Sequence, residues 1–132
     1  MADTDPLEPA RAMRRSILGD DFVDAMTADP DELDFQDHLT RQAWGAWARG
    51  GPLSPRDRSL LVLAMTAALG RMEEFRLHAA ASHRAGVTDA ELYELLFQIS
   101  GYCGGPAALA ARREIRAVQA ERDRPDPGGA TS

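Results

Sequence analysis

Residues 70–78 read GRMEEFRLH, and three of them have side chains that could do chemistry together. Built as a helix at about 100° per residue, Arg71 and His78 fall about 20° apart, with Glu74 about 60° to one side. All three then share one face. A guanidinium there would keep Glu74 ionised, and Glu74 would favour a protonated His78. The row would hold an anion anchor, an orienting carboxylate and a proton donor. The same spacing also makes an exposed ladder of ion pairs worth about 0.2–0.5 kcal/mol each, and spacing alone favours that plainer account.

Other candidates lie elsewhere in the chain. In TRQAWG, Arg41 can grip a carboxylate in bidentate fashion and Trp44 can wall an apolar pocket, or else serve as plain core. Arg58 falls in the first turn of a helix, where the dipole disfavours a cation, so either an acidic ligand or solvent must compensate it. Tyr102 and Cys103 stand in GYCGGPAA, between a helix end and a helix start. A thiol there can have a lowered pKa, or can be a small buried residue at a tight junction. Cys103 is the single cysteine, which excludes an internal disulfide, a Cys-only metal site and a dithiol cycle. Glu74 and His78 could share an ion, but His83 sits about 140° further round the helix, so no metal site is expected. His38 has no obvious acid partner.

The elements that must position these residues all read as helical. PLEPARAMRRSILG is a short helix closed by Gly19. DELDFQDHLTRQAWGAWARGG carries Leu33, Phe35, Leu39, Ala43 and Trp47 as its apolar positions and stops at Gly50-Gly51. In LSPRDRSLLVLAMTAALG, Ser54 suits the N-cap, Pro55 the first position and Asp57 the positive end of the dipole. Its interior is apolar nearly all round, which predicts a central helix. Gly70 either ends it or interrupts it, and helix continues to Gly86, a C′ glycine. TDAELYELLFQISG opens with a Thr88/Glu91 capping box and carries Leu92, Leu95, Leu96 and Ile99 on one stripe. GGPAALAARREIRAVQAERD places Pro106 early and runs to about residue 123. No segment alternates with period two, so the fold class is all-α. The expected organisation is a flexible 1–7, one domain over 8–123 and a disordered Pro/Gly tail over 124–132.

Composition narrows the partners. The net charge is −6 and the pI about 5.0, which argues against nucleic acid and anionic membrane. All fifteen basic residues are Arg, so there is no lysine for Schiff-base chemistry. No apolar run approaches the roughly 20 residues that span a bilayer. The opening MADTDPLEPARAMRR has no apolar leader region, so a cytoplasmic location is expected. Small residues dominate the faces at 67–68, 79–81 and 107–111, and each buries little area. A homo-oligomer in which neighbouring chains complete the core is therefore expected.

Five stretches in order resemble the 4-carboxymuconolactone (γ-carboxymuconolactone) decarboxylases: RRSILGDDFVD, DFQDHLTRQAWGAW, LSPRDRSLLVLAMTAALGR, EEFRLHAAASHRAGVTDAEL and YCGGPAA. The resemblance covers about residues 14–121. It implies a single-domain fold of six to seven helices shared with alkyl hydroperoxide reductase D-like proteins, assembled as a hexamer or trimer. The redox branch of that fold carries a Cys-x-x-Cys pair and a glutamate upstream. Here Arg71 and Glu74 stand at the cysteine positions and Ser59 at the glutamate. Gln42 replaces a common Tyr, Leu109 a common Asn, and His38 and His83 stand at usually apolar positions.

The resemblance further implies a reaction without cofactor or metal. The substrate is an unsaturated dicarboxylate lactone, 4-carboxymuconolactone. Loss of CO2 sends electrons through the ring alkene into the lactone carbonyl, and protonation on carbon gives the β-ketoadipate enol-lactone of protocatechuate breakdown. In this reading Arg41 or Arg58 anchors a carboxylate, Trp44 is an apolar wall and Arg71 stabilises the oxyanion. His78, oriented by Glu74, delivers the proton, and Tyr102 and Cys103 border the site. The alternatives are a redox or stress accessory protein of the same fold, and a non-catalytic assembly subunit.

Overall fold

The structure, a computed structural model, describes residues 5–125. Among these the chain is helical, with no strand and no helix long and apolar enough to cross a membrane. Most of the expected N-terminal arm and of the expected Pro/Gly tail, residues 1–4 and 126–132, lies outside the described residues.

Helix α1 (Leu7–Leu18) ends at Gly19, whose φ of 92° turns the chain directly into α2 (Asp20–Met26). A 3-10 turn (Pro30–Glu32) leads into α3 (Leu33–Leu39), which runs through a π-helical turn (Thr40–Trp44) into the short α4 (Gly45–Trp47). The π turn shifts the phase of this segment. Phe35, Leu33 and Ala43 therefore face outward, and the inward residues are Gln36, Thr40, Trp44 and Trp47. This corrects the expected apolar face. A single extra residue in one turn rotates all that follows, and the polar Gln36 and Thr40 can turn inward because a buried partner meets them there.

Helix α5 (Pro55–Leu69) starts on the expected cap. Ser54 Oγ accepts from the Asp57 N–H, and the Asp57 carboxylate accepts from the Ser54 N–H. Gly70, in the left-handed region, ends α5, and α6 (Met72–Ala81) begins two residues on. A 3-10 turn (Ser82–Ala85) closes on Gly86. Then α7 (Asp89–Cys103) starts on the Thr88/Glu91 capping box, and α8 (Gly105–Asp123) follows Gly104.

Helix α6 divides two apolar clusters. Phe75 and Ala79 pack with Leu63, Leu92, Ile99 and Ile115 of α5, α7 and α8. Full burial of a side chain such as Phe75 contributes roughly 1.5–3 kcal/mol. The other side of α6, through Leu77 and the following Ala81, meets α1, α2 and the two tryptophans. Helix α5 is only half inside: Leu63 and Ala67 are buried, whereas Leu61, Met65 and Leu69 are exposed. The central position expected for it holds on one face alone, and its outer face is apolar and uncovered in the single chain.

Candidate active site

Four pieces of the chain converge on a cavity of about 610 Å³: α1, α2, the α3–α4 segment with its π turn, and α6. Its walls are mainly apolar, from Leu18, Phe22, Met26, Val62 and Leu77. Its size and the few polar groups on it are those of a small-molecule site. Those polar groups are Arg14, Gln36, Glu73, Glu74 and His78.

His78 lies on the inward face of α6 and is 9% exposed. Its ring stacks on Trp44, with centroids 5.9 Å apart and 22° between planes, and on Trp47, at 6.1 Å and 18°. The two indoles are themselves 4.9 Å apart. They can reach one imidazole together because the π turn, closing just before α4, puts both on its buried side. Nδ1 of His78 is buried without a hydrogen-bond partner. Burial pushes the His78 pKa below its ordinary value, and no neighbouring charge opposes this. This reverses the expected direction. Glu74 lies one turn earlier but is exposed, and it makes no hydrogen bond to the ring among the described residues. What orients the imidazole is stacking.

The second buried polar centre is Arg14, 7% exposed. Nη1 donates to Thr40 Oγ1 at 3.0 Å and Nη2 to Gln36 Oε1 at 3.0 Å. Thr40 Oγ1 gives its own proton to the Gln36 carbonyl at 2.7 Å, so its lone pairs face the guanidinium. Arg14 lies in the stripe Ala10, Arg14, Ile17 and Leu18, all buried. A cation at an apolar register position is a signal that sequence reading missed. Trp47, Gln36 and Phe22 were missed as lining residues too, because the π turn and the α1–α2 corner are not visible as periodicity.

The expected site residues divide. Trp44, Glu74 and His78 line this one cavity. Arg71 does not: it is the exposed N-cap residue of α6, outside the helix, its backbone N–H bonded to the Thr66 carbonyl at 2.8 Å. The single straight row of Arg71, Glu74 and His78 therefore does not form, because Gly70 ended the helix before it. Arg41 is exposed and pairs with Asp5 at 3.0 Å. Arg58 donates to the Gly50 carbonyl at 2.9 Å, at the loop before α5. Tyr102 is 86% exposed and Cys103 is exposed, at the α7–α8 corner. Ser59 is buried, its hydroxyl unpartnered, away from the cavity lining. Among the described residues no group of three His, Cys, Asp or Glu side chains could hold a metal.

A second cavity of about 440 Å³ lies across α6, between it and the ends of α7 and α8. Its charged rim is exposed and already paired, Arg122 with Asp89 at 3.0 Å. Only the first cavity holds buried polar groups with unfilled hydrogen-bonding capacity.

The profile of the Carboxymuconolactone decarboxylase family matches residues 34–117. The chain is also 38% identical over 114 residues to the 4-carboxymuconolactone decarboxylase of Acinetobacter baylyi, covering 84% of each chain. The family match takes in the tryptophans, Glu74 and His78, whereas α1 and α2, which bring Arg14 and Phe22 to the cavity, precede it.

Proposed function

Because this chain belongs to the carboxymuconolactone decarboxylase family, we propose that it is a carboxy-lyase that removes CO2 from 4-carboxymuconolactone and that the cavity beside His78 is its active site. The observation that carries this reading is His78 itself, an imidazole buried in a mainly apolar cavity with Nδ1 unpartnered. A structural histidine in a core is ordinarily satisfied by a partner. An unsatisfied one at a cavity wall suits proton transfer to something that arrives.

The chemistry needs little from the protein. The C–C bond to the ring carboxylate breaks, its electron pair moves through the ring alkene to the lactone carbonyl, and CO2 leaves. The dienolate then takes one proton on carbon. The apolar walls strip water from the departing carboxylate, which favours loss of its charge. His78 in the empty site is held toward its neutral form by burial. A dianionic substrate beside it favours the imidazolium, so His78 takes up a proton with the substrate and returns it to the dienolate. Glu74, four residues before His78, is placed to swing toward the ring once it is charged. Trp44 and Trp47 hold the ring plane.

The exposed residues Arg41, Arg58, Arg71, Tyr102 and Cys103 have no place in this single-chain site; we assign them to the surface on which further copies assemble. The reading includes a homo-oligomer working in the cytoplasm. A dithiol activity is not favoured, since Cys103 is the chain's one cysteine.

The test is turnover of 4-carboxymuconolactone by the purified chain, followed by CO2 release. His78→Gln should lose about 10²–10⁴-fold in kcat while remaining folded. Absence of turnover in the wild-type chain, or a His78→Gln chain as fast as wild type, overturns the proposal.

A further inference from the structure

We infer that Arg14 is the carboxylate anchor of this cavity, and that it holds the substrate carboxylate that survives the reaction rather than the one that leaves. The inference rests on the decarboxylase reading for the identity of the two carboxylates. The anchor itself rests on the geometry around Arg14.

Three consecutive turns of α1 carry Arg11, Arg14 and Arg15, and their surroundings differ. Arg11 pairs with Asp37 at 2.9 Å and with Glu8, and Arg15 pairs with Asp24 at 2.7 Å and Asp20 at 3.2 Å. Both are exposed or half-exposed, where such pairs contribute little. Arg14 is the buried member, and it has no carboxylate. Thr40 and Gln36, both neutral, take one hydrogen bond each from its terminal nitrogens. Its Nε–H is buried with no partner at all. Glu73 and Glu74, on the far wall, are exposed and make no hydrogen bond to it among the described residues.

Taking a cation out of water without a counter-ion opposes folding. Nothing acidic offsets this at Arg14: its pKa is pushed down by burial and by the neighbouring Arg15. It nonetheless stays protonated, as guanidinium does. A group that weakens the fold, is held in place by two oriented neutral acceptors and borders a small-molecule cavity is built for an anion that is not part of the chain. Gln36 and Thr40 are then positioning residues: they fix the guanidinium without cancelling its charge.

The choice between the two carboxylates follows from where charge goes. The ring carboxylate becomes neutral CO2, so a cation on it would stabilise the ground state more than the transition state and slow the reaction. The acetate arm keeps its charge throughout. A cation there binds substrate and transition state alike, which lowers KM and leaves kcat alone. The apolar wall of Leu18, Phe22 and Met26 is left for the ring and its departing group.

The experiment compares wild type with Arg14→Met and Arg14→Lys, the latter keeping charge without the planar fork. Exchange of a buried, unpaired charge for Met is often neutral or stabilising, so Arg14→Met should keep a cooperative melt. If it does not fold, Arg14→Lys carries the test. Binding is read by calorimetry with muconolactone, which keeps the acetate arm and has hydrogen in place of the ring carboxylate, and with the parent butenolide, which has neither. Wild type should bind muconolactone, the variants about 10–100-fold more weakly, as loss of a charge-assisted hydrogen bond gives. Butenolide binding should be unchanged. With 4-carboxymuconolactone, KM should rise by a like factor while kcat stays within about threefold. Equal muconolactone binding by wild type and variant, no binding by wild type, or a loss in kcat at unchanged KM overturns the anchor. A wild-type chain that binds muconolactone through Arg14 but releases no CO2 leaves the anchor standing and overturns the decarboxylase reading instead.

Discussion

The imidazole of His78 lies almost parallel to the indole of Trp44, with 5.9 Å between ring centroids, and the Trp47 indole lies at nearly the same distance, 6.1 Å. Two influences meet in that stack. Indole faces favour a cation, by about 0.5–2 kcal/mol depending on desolvation. Burial favours the neutral ring. In the empty site burial prevails, and the pKa of His78 falls. The protonation state is thus left for an incoming charge to decide, while the orientation of the ring is fixed beforehand.

The first prediction concerns stability against pH. With the folded-state pKa of His78 depressed and the unfolded value near about 6.5, the unfolded chain holds the extra proton between those two values. Stability must then rise with pH through that window. The contribution is complete above about 6.5 and is lost as pH falls through the folded value. His78→Gln has no such proton to bind. Between about pH 8 and about pH 5, wild type should lose more Tm than His78→Gln under identical conditions. Parallel Tm profiles would show that His78 is not held neutral by the fold.

A second prediction separates Glu74 from the stack. If Glu74 supports the imidazolium only when substrate is bound, Glu74→Gln removes a negative charge from the substrate complex and changes little in the free chain. The limb on which kcat falls with rising pH should move to lower pH, with KM nearly unchanged. Steady-state rates across pH measure this directly. An unchanged kcat profile would remove Glu74 from the proton transfer.

Legibility in the sequence followed the range of the signal. Caps are local: Ser54 with Asp57 and Thr88 with Glu91 form the boxes that their spacing announces. Gly19 and Gly86 likewise close their helices as read. The charged triplet failed as a row because Gly70, left open in the sequence, adopts the left-handed conformation and puts Arg71 outside α6. The π turn at Thr40–Trp44 was invisible, since an added residue in one turn leaves no periodic trace when the residues it turns inward are polar. Arg14 escaped for the same reason in reverse. Its partners Gln36 and Thr40 lie more than twenty residues away, and only the tertiary fold brings them to α1.

The third prediction addresses assembly. On α7, Tyr93 and Phe97 meet edge to face at 5.3 Å while 63% and 58% exposed. On α5, Met65 is 58% and Leu69 73% exposed. Apolar groups of this size, clustered along helix faces, mark surfaces that another chain covers. Light scattering should find an oligomer of the wild-type chain at micromolar concentration, and Phe97→Asp or Met65→Asp should lower its mass. A monodisperse wild-type monomer would contradict the assembly.

The last prediction ties the cavity to one backbone position. Gly19 joins α1 to α2 at φ 92° and ψ 148°, a region that residues with a Cβ rarely enter. The space is also tight: a Cβ built there would lie 3.4 Å from Nη2 of Arg84, whose Nη1 donates to the Ile17 carbonyl. Gly19→Ala must therefore strain the backbone or displace Arg84. Either route loosens the corner that sets Arg14 and Leu18 of α1 against Phe22 of α2, three members of the cavity wall. The expected loss is about 1–3 kcal/mol of unfolding free energy, read by urea titration, together with a rise in KM larger than any fall in kcat. A Gly19→Ala chain of wild-type stability would mean that the corner can adopt another conformation. Unchanged KM in a destabilised variant would mean that α2 does not shape the substrate site.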